Sequence, residues 1–171
     1  VYALRPPAID ELGLLSAIRE HVMQAARKEC IVHIEATPEP LPALPAAVEI
    51  AAYRIVLEAF TNVQRHAHAT TCDIWLNTED TADGQVLTVT VADNGQGLPP
   101  EYHAGVGMLS MRERCSELGG SIQFAPEERG GLHVHARLPF PTIPTNSLTN
   151  AQGEDIHGDK KEREHNTTVD R

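Results

Sequence analysis

The segment VADNGQGLPP, from Val91 to Pro100, combines residue types that can hold a ligand. Asp93 ends a run of alternating apolar residues, and Gly95 and Gly97 follow it on either side of one residue. Glycine lets a ligand approach the backbone closely because it has no Cβ atom. A hairpin turn would explain the Asn-Gly pair, but the segment continues into two prolines and no strand pattern follows. We therefore predict a binding loop here.

A second set of polar residues lies on the helix predicted around YRIVLEAFTNVQRHAHA. Glu58, Asn62 and Arg65 are spaced i, i+4 and i+7, which aligns them beside an apolar stripe. A solvated helix edge explains Glu58 or Arg65 taken alone, but asparagine is a poor residue for the middle of a helix. A carboxylate and an amide oxygen one turn apart suit Mg²⁺, and a neighbouring arginine suits a phosphate.

A third segment, AGVGMLSM from Ala104 to Met111, places Gly105 and Gly107 before a predicted helix. The backbone N–H groups at a helix N-terminus can hold phosphate oxygens. A Gly-x-Gly pair before a helix is a weak signal by itself. Its value comes from the order and spacing of all three segments.

Hydrophobic periodicity predicts the elements that must position these residues. The first helix is expected to bury the stripe Leu12, Leu15, Ile18, Val22 and Ala26. Strands are predicted over 30–36, 71–77, 85–93, 121–125 and 132–139, with a polar turn over 78–84, a long helix over 46–69 and another from 106 to the Gly119-Gly120 pair. This order predicts an α+β fold, a two-layer α/β sandwich whose mixed sheet has helices on one face.

The overall charge and composition exclude several classes of function. A net charge of -10 argues against duplex nucleic acid or an anionic membrane as the main partner. No apolar run approaches the ~20 residues of a membrane span, and no signal peptide opens the chain. Because it begins at Val1 rather than Met, we expect an excised piece of a longer protein. Cys30, Cys72 and Cys115 are expected to be free thiols in a reducing cytoplasm.

Together the three segments resemble the N, G1 and G2 boxes of the Bergerat-fold ATPases, which include histidine kinases, type II topoisomerases and MutL-like repair proteins. The stretches EAFTNVQRHAHAT, VADNGQGLP, GVGMLSMRERCSELGGSIQF and GGLHVHARLP are similar to the catalytic domain of nitrate-sensor-like two-component histidine kinases. LRPPAIDELGLLSAI resembles the segment that closes the dimerisation helices of that subclass. The resemblance covers roughly Leu4 to Pro139.

This resemblance implies a role for each residue of the base and metal sites. Asp93 would accept a hydrogen bond from the adenine amino group of ATP, and Gly95 and Gly97 would make room for the base. Asn62 would be the Mg²⁺ ligand. Glu58 would be the catalytic residue, orienting or deprotonating groups around the γ-phosphate.

The remaining ATP-binding residues implied by the resemblance lie near the phosphates. Arg65 and His66 fall where the family places basic phosphate contacts. Gly105 and Gly107 would hinge a lid over the nucleotide, and Met108 follows them in the same ATP-binding set.

The function implied by the resemblance is that of the ATP-binding catalytic domain of a bacterial sensor histidine kinase. It would transfer the γ-phosphate to a histidine outside this fragment, with a response regulator as the later recipient. We expect residues 1–20 to end the dimerisation and phosphoacceptor region, 21–140 to form the catalytic domain, and 141–171 to be a disordered tail. The longer protein is expected to be a homodimeric, membrane-anchored kinase with this domain in the cytoplasm and with no nucleic acid bound to it.

The sequence departs from the family pattern in two respects. Leu132 follows Gly130-Gly131 where the family usually has Thr, so one polar contact of about 0.5–1.5 kcal/mol is lost. None of the nine histidines lies in the acidic Leu-His-Asp/Glu context of a phosphoacceptor. His133 and His135 alternate on one strand face like a metal pair, but a solvated sheet face is the preferred interpretation because no third ligand is evident.

Two other functions therefore stay open at this point. One is a Bergerat-fold serine kinase of the anti-sigma-factor type, against which the segment resembling the end of a dimerisation helix argues. The other is a degenerate regulatory module that binds nucleotide weakly or not at all. Leu132 supports it, whereas Glu58, Asn62 and Asp93 oppose it.

Overall fold

The five strands form one mixed sheet that carries its helices on one face. The computed structural model describes residues 5–98, 105–127 and 130–141. Its helices and strands are α1 Pro7–Leu12, α2 Leu14–Ala25, β1 Ile31–Thr37, α3 Ala46–Asn62, a π-helix Val63–Ala67, β2 Thr71–Thr81, β3 Gly84–Asp93, α4 Val106–Glu117, β4 Ser121–Pro126 and β5 Leu132–Phe140. The strand order is β1-β2-β3-β5-β4, with β1 parallel to β2 and the other pairs antiparallel. The predicted α+β class is confirmed.

The central strand β3 aims its last residue at the helices. Leu87, Val89 and Val91 belong to the hydrophobic core and are almost completely buried. Side chains alternate between the two faces of a strand, so Asp93 continues this row on the core side. A carboxylate is thereby placed at the end of an otherwise apolar row.

Helix α3 is the centre of the helical layer. Ala52, Ile55, Val56 and Ala59 are buried on its inner side. The helix contacts β3 and β5 beneath it, and α2 and α4 on its flanks. The polar residues predicted to do chemistry are carried at its C-terminal end, where α4 comes alongside.

One helix was predicted at the start of the chain, but the structure has two. Gly13, with φ 77°, separates α1 from α2, and Leu12 is 45% exposed rather than part of a buried stripe. Leu14 takes its place in the core because the break changes the helical register. The domain boundary predicted after residue 20 falls within α2, whose buried residue Val22 belongs to the common core.

The prediction of one long helix over 46–69 was also wrong at the C-terminal end. The α-helix stops at Asn62 and the chain continues as a π-helix to Ala67, after which His68 adopts a left-handed conformation with φ 52°. A π-turn has i to i+5 hydrogen bonds and occurs often at functional sites. The periodicity of the sequence contains no signal for this change.

The polar turn predicted over 78–84 is largely strand. Pairing of β2 with β3 continues to Thr81 opposite Gly84, which leaves two residues to connect them. Polar side chains do not prevent pairing, because the backbone supplies the hydrogen bonds of the ladder.

The glycine pair after α4 ends the helix as predicted. The N–H of Gly120 donates to the carbonyl oxygen of Cys115 at 2.8 Å, and that of Gly119 donates to Ser116 at 2.9 Å. Gly119 has φ 68°, so this is a Schellman motif.

The three cysteines are free, as expected, and the structure buries all of them. Burial raises the pKa of Cys30 and Cys72, and that of Cys115 to about 11, so the thiols are held in their neutral form. In the part of the chain that the structure describes, no helix is both long and apolar enough to span a membrane. Apart from Pro141, the predicted disordered tail lies outside the described residues.

Candidate functional site

A cavity of about 250 Å³ opens between the C-terminal end of α3, the π-helix, α4 and the sheet. Five residues singled out from the sequence line it, namely Asn62, His66, Asp93, Gly97 and Met108. The lining residues that were not assigned to a site are Ala59, Val63, Ala67, Val91, Gln96, Leu98, Met111, Leu132 and Val134. Most of these are apolar, and a cavity below about 300 Å³ suits a flat ring better than a whole nucleotide.

Asp93 is the buried charged group of this cavity. Its side chain is 6% exposed, and the Gly95 N–H donates to Oδ1 at 2.8 Å while the Leu132 N–H donates to Oδ2 at 3.3 Å. Each carboxylate oxygen has lone pairs beyond these two bonds. The carboxylate can therefore accept a further hydrogen bond from a ligand that enters the cavity.

The surroundings of Asp93 make such a donor favourable. Burial raises the pKa of this carboxyl, and the negative charge of Glu127 adds to the rise, while the Gly95 and Leu132 N–H groups lower it. The net shift of the Asp93 pKa is upward. The ionised carboxylate therefore loses more stabilisation from water than the two N–H groups supply in its place. A ligand N–H group would restore part of that loss.

The loop after β3 is fixed to the π-helix by backbone contacts. The Gln96 N–H donates to the carbonyl oxygen of Ala67 at 2.9 Å, and the Gln96 side-chain amide donates to that of His66 at 2.7 Å. The side-chain oxygen of Asn94 accepts from the N–H groups of Thr70 and Thr71, both at 2.9 Å. Asn94 and Gln96 thus position the loop that bears Gly97.

Three glycines allow this loop to lie directly on neighbouring backbone. A Cβ atom at Gly95 would come 2.1 Å from the Ala67 carbonyl oxygen, and one at Gly131 would come 1.9 Å from that of Asp93. Gly97 has φ 68°, and its Cβ would lie 2.8 Å from the Gly131 carbonyl oxygen. Gly97 lines the cavity, whereas Gly95 makes room for the π-helix.

Glu58 lies one turn from Asn62, just outside the cavity. It is half-buried, and its carboxylate approaches the first turn of α4 so closely that a Cβ at Gly107 would be 2.0 Å from Oε1. Gly105 is the N-cap residue of that helix. Glu58 and the α4 N-terminus therefore share one end of the site.

Arg65 does not line the cavity, although Asn62 does. Its side chain is exposed, and His66, at the next position, reaches the rim of the cavity instead. The wider π-turn rotates the chain relative to an α-helix. A phosphate contact by Arg65 stays a prediction.

Asn62 and Glu58 suit a cation that keeps most of its bound water molecules. Asn62 lines the cavity with Glu58 one turn away, and no cluster of three or more His, Cys, Asp or Glu residues that could hold a metal exists among the described residues. Mg²⁺ usually keeps several waters and takes its remaining ligands from a few side chains and substrate phosphates.

The rings of His133 and His135 stack at 5.8 Å on the opposite sheet face, and Nδ1 of His135 lies 3.1 Å from the Thr90 hydroxyl.

Comparison with known proteins links this geometry to a family. Residues 47–142 match the family described as histidine kinase-, DNA gyrase B-, and HSP90-like ATPase. The chain is 30% identical over 141 residues to the signal transduction histidine-protein kinase/phosphatase UhpB of Salmonella typhimurium, a match that covers 80% of the chain and 26% of UhpB. It is 31% identical over 141 residues to the sensor histidine kinase LiaS of Bacillus subtilis, covering 81% and 38%. The chain thus spans about a quarter to two fifths of these curated relatives.

The fold also matches solved structures. The histidine kinase domain of the blue-light activated histidine kinase from Erythrobacter litoralis EL346 superposes with a TM-score of 0.60. The match covers 74% of this chain and 60% of that one at 20% identity. At this identity the likeness shows the shared fold.

Two glycine substitutions should separate backbone packing from side-chain packing at the site. Gly95→Ala should lower the free energy of unfolding by about 1–3 kcal/mol, because its methyl group meets the rigid Ala67 carbonyl. Gly107→Ala meets only the flexible end of Glu58 and gains up to about 1 kcal/mol of helix propensity, so its net effect should be small. Urea unfolding followed by circular dichroism measures both. A larger loss for Gly107→Ala than for Gly95→Ala would contradict the packing described.

Proposed function

This chain belongs to the histidine kinase-, DNA gyrase B- and HSP90-like ATPase family, and on that premise we propose that it is the ATP-binding catalytic domain of a bacterial two-component sensor histidine kinase. The observation that carries the proposal is the buried Asp93 carboxylate at the end of β3, in a cavity with apolar walls. The acceptor would be a histidine outside this chain, and a response regulator would be the later recipient.

Asp93 would recognise adenine through its exocyclic amino group. That group donates hydrogen bonds, and an ionised carboxylate only accepts them. Val91, Met111 and Val134 are apolar residues of the wall that would pack against the ring. The contact between Leu132 and Asp93 uses a backbone N–H, so it does not depend on a hydroxyl side chain at that position.

The phosphates would extend from the cavity towards Asn62, Glu58 and the N-terminus of α4. Asn62 would hold Mg²⁺ through its amide oxygen together with phosphate oxygens and water. When bound, Mg²⁺ neutralises charge that develops on the phosphates. His66 at the rim, Arg65 beyond it and the backbone around Gly105 are the proposed further contacts.

In the transfer step, a ring nitrogen of the acceptor histidine forms a bond to the γ-phosphorus while the bond from phosphorus to the β–γ bridging oxygen breaks. ADP leaves with that electron pair. Glu58 is proposed to orient the acceptor ring and to accept the proton of its N–H group. Without Glu58, this proton would pass to solvent. Positioning and charge neutralisation supply most of the rate enhancement.

The rest of the longer protein belongs to the proposal as well. Residues 1–20 would end the dimerisation region, with 21–140 as the catalytic domain, and the whole protein would be a membrane-anchored homodimer. The same site could also serve a serine kinase of the anti-sigma-factor type. The similarity to named histidine kinases over 80% of the chain favours the histidine acceptor.

Two substitutions should separate recognition of the base from recognition of the metal. Asp93→Asn should weaken binding of both ATP and adenosine by about ten- to a hundredfold, the range for a hydrogen bond to a charged group. Asn62→Ala should abolish the Mg²⁺ dependence of ATP binding and leave adenosine binding nearly unchanged. Isothermal titration calorimetry with and without Mg²⁺ measures both.

Each substitution is the control for the other. The assignment of Asp93 fails if a folded Asp93→Asn protein binds ATP as tightly as the parent. Asn62 is not a ligand if Mg²⁺ strengthens ATP binding equally in the Asn62→Ala protein.

Phosphoryl transfer requires the acceptor to be added. Incubated alone with radiolabelled ATP, the chain should stay unlabelled. A dimerisation domain with the family histidine should gain an acid-labile, base-stable label slowly, because no tether holds it near. Glu58→Gln should slow labelling about 10²-fold, the lower end of a general-base contribution, while ATP still binds.

The pattern of label distinguishes the rival functions. A label on a histidine of this chain would mean that the acceptor has been misplaced. An acid-stable label on an added serine-bearing partner would favour the anti-sigma-factor-type kinase. ATP binding without any transfer would favour the regulatory module.

A further inference from the structure

The cavity wall next to Asp93 is the side chain of Leu132. Val91 on β3 and Val134 on β5 are register partners, and both belong to the core. Two residues further along these antiparallel strands, Asp93 and Leu132 come opposite each other on the same face, because side chains alternate along a strand. Opposed Cβ atoms lie about 5 Å apart in such pairs. Since Leu132 lines the cavity and packs against the core, an apolar group stands beside the buried carboxylate.

Three backbone N–H groups around Asp93 are already engaged within the protein. Those of Gly95 and Leu132 donate to the Asp93 carboxylate, and that of Gln96 donates to the carbonyl oxygen of Ala67. A backbone N–H group is a single donor. These three groups therefore stabilise the carboxylate and the loop and do not serve a ligand.

An adenine ring in the cavity presents two polar groups side by side. Its exocyclic amino group donates hydrogen bonds, and the adjacent ring nitrogen, N1, accepts them. Asp93 can pair with the amino group, but N1 requires a donor. A buried acceptor that finds no donor loses its hydrogen bonds to water without replacement.

The proposed direction of the phosphates decides which edge of the ring meets Leu132. The sugar is attached to the five-membered ring of adenine, and the phosphates would extend towards Asn62 in the helical layer. The six-membered ring, which carries the amino group and N1, is then directed to the sheet. Leu132 and Val134 line the cavity from β5 on that side. N1 would thus lie against an apolar wall.

Resting on the function proposed above, we infer that Leu132 is a specificity-determining residue that restricts recognition of the base to its amino group. The site accepts purine-like rings that carry this group and does not require the ring nitrogen beside it. The ligand class is therefore wider than adenine. A ring with C–H in place of N1 fits the apolar wall without burying an unpaired acceptor.

Calorimetry with ATP and 1-deaza-ATP in the presence of Mg²⁺ tests this inference. The analogue keeps the amino group and has C–H in place of N1. The parent chain should bind the analogue as tightly as ATP, within about threefold, or more tightly. A stronger preference for ATP would mean that the protein supplies a donor to N1, and the inference would be wrong.

Two variants of equal shape isolate the effect of the side chain. Threonine and valine differ only in a hydroxyl or a methyl group, so Leu132→Val is the matched control for Leu132→Thr. The threonine hydroxyl can donate to N1 directly or through one water. The preference for ATP over 1-deaza-ATP should be about tenfold greater in the Leu132→Thr protein than in the Leu132→Val protein. Equal preferences in the two proteins overturn the inference.

A second analogue controls for the orientation of the ring. In 7-deaza-ATP the altered nitrogen belongs to the five-membered ring, on the other side of the amino group. Its affinity relative to ATP should be the same in the Leu132→Thr and Leu132→Val proteins. If this analogue distinguishes the two proteins and 1-deaza-ATP does not, Leu132 lies at the other edge of the base and the inference is wrong.

The same titrations separate this inference from the function on which it rests. A parent chain that binds no ATP overturns the proposed function and the role of Leu132 together. A parent chain that binds ATP, with equal preferences in the threonine and valine proteins, leaves the proposed function standing and overturns only the role of Leu132.

Discussion

The site depends on the contact between the π-helix and the loop that follows β3. This contact is possible because Gly95 has no Cβ atom to collide with the Ala67 carbonyl group. Gln96 then donates two hydrogen bonds to the carbonyl groups of His66 and Ala67. The loop folds back over the end of β3, so Asp93 is enclosed and receives the Gly95 N–H. One backbone packing contact thereby forms one wall of the cavity and fixes its charged group.

A buried carboxylate in an apolar cavity costs the folded protein free energy. The upward shift of the Asp93 pKa expresses that cost, which two backbone N–H donors offset only in part. A ligand with a properly placed N–H donor offsets more of that free-energy cost. The buried carboxylate is therefore the source of both the binding specificity and the local instability.

Much of the fold and the key carboxylate could be predicted from the sequence, because both follow local rules. Alternation in β3 predicts that Asp93 ends a core-facing row, and the glycine pair predicts the end of α4. The π-helix could not be predicted, since a one-residue change of helical pitch has no periodic signature. For that reason His66 reaches the cavity and Arg65 does not. Gln96 was missed because its role depends on backbone groups some 30 positions away.

The central claim is that the Asp93 carboxylate recognises the amino group of adenine, and a comparison of ATP with GTP tests it most directly. Guanine carries a carbonyl oxygen where adenine carries that amino group, so two acceptors would face each other at Asp93. Isothermal titration calorimetry with Mg²⁺ should show one ATP site and at least about tenfold weaker binding of GTP. Equal affinity for the two nucleotides would contradict the account.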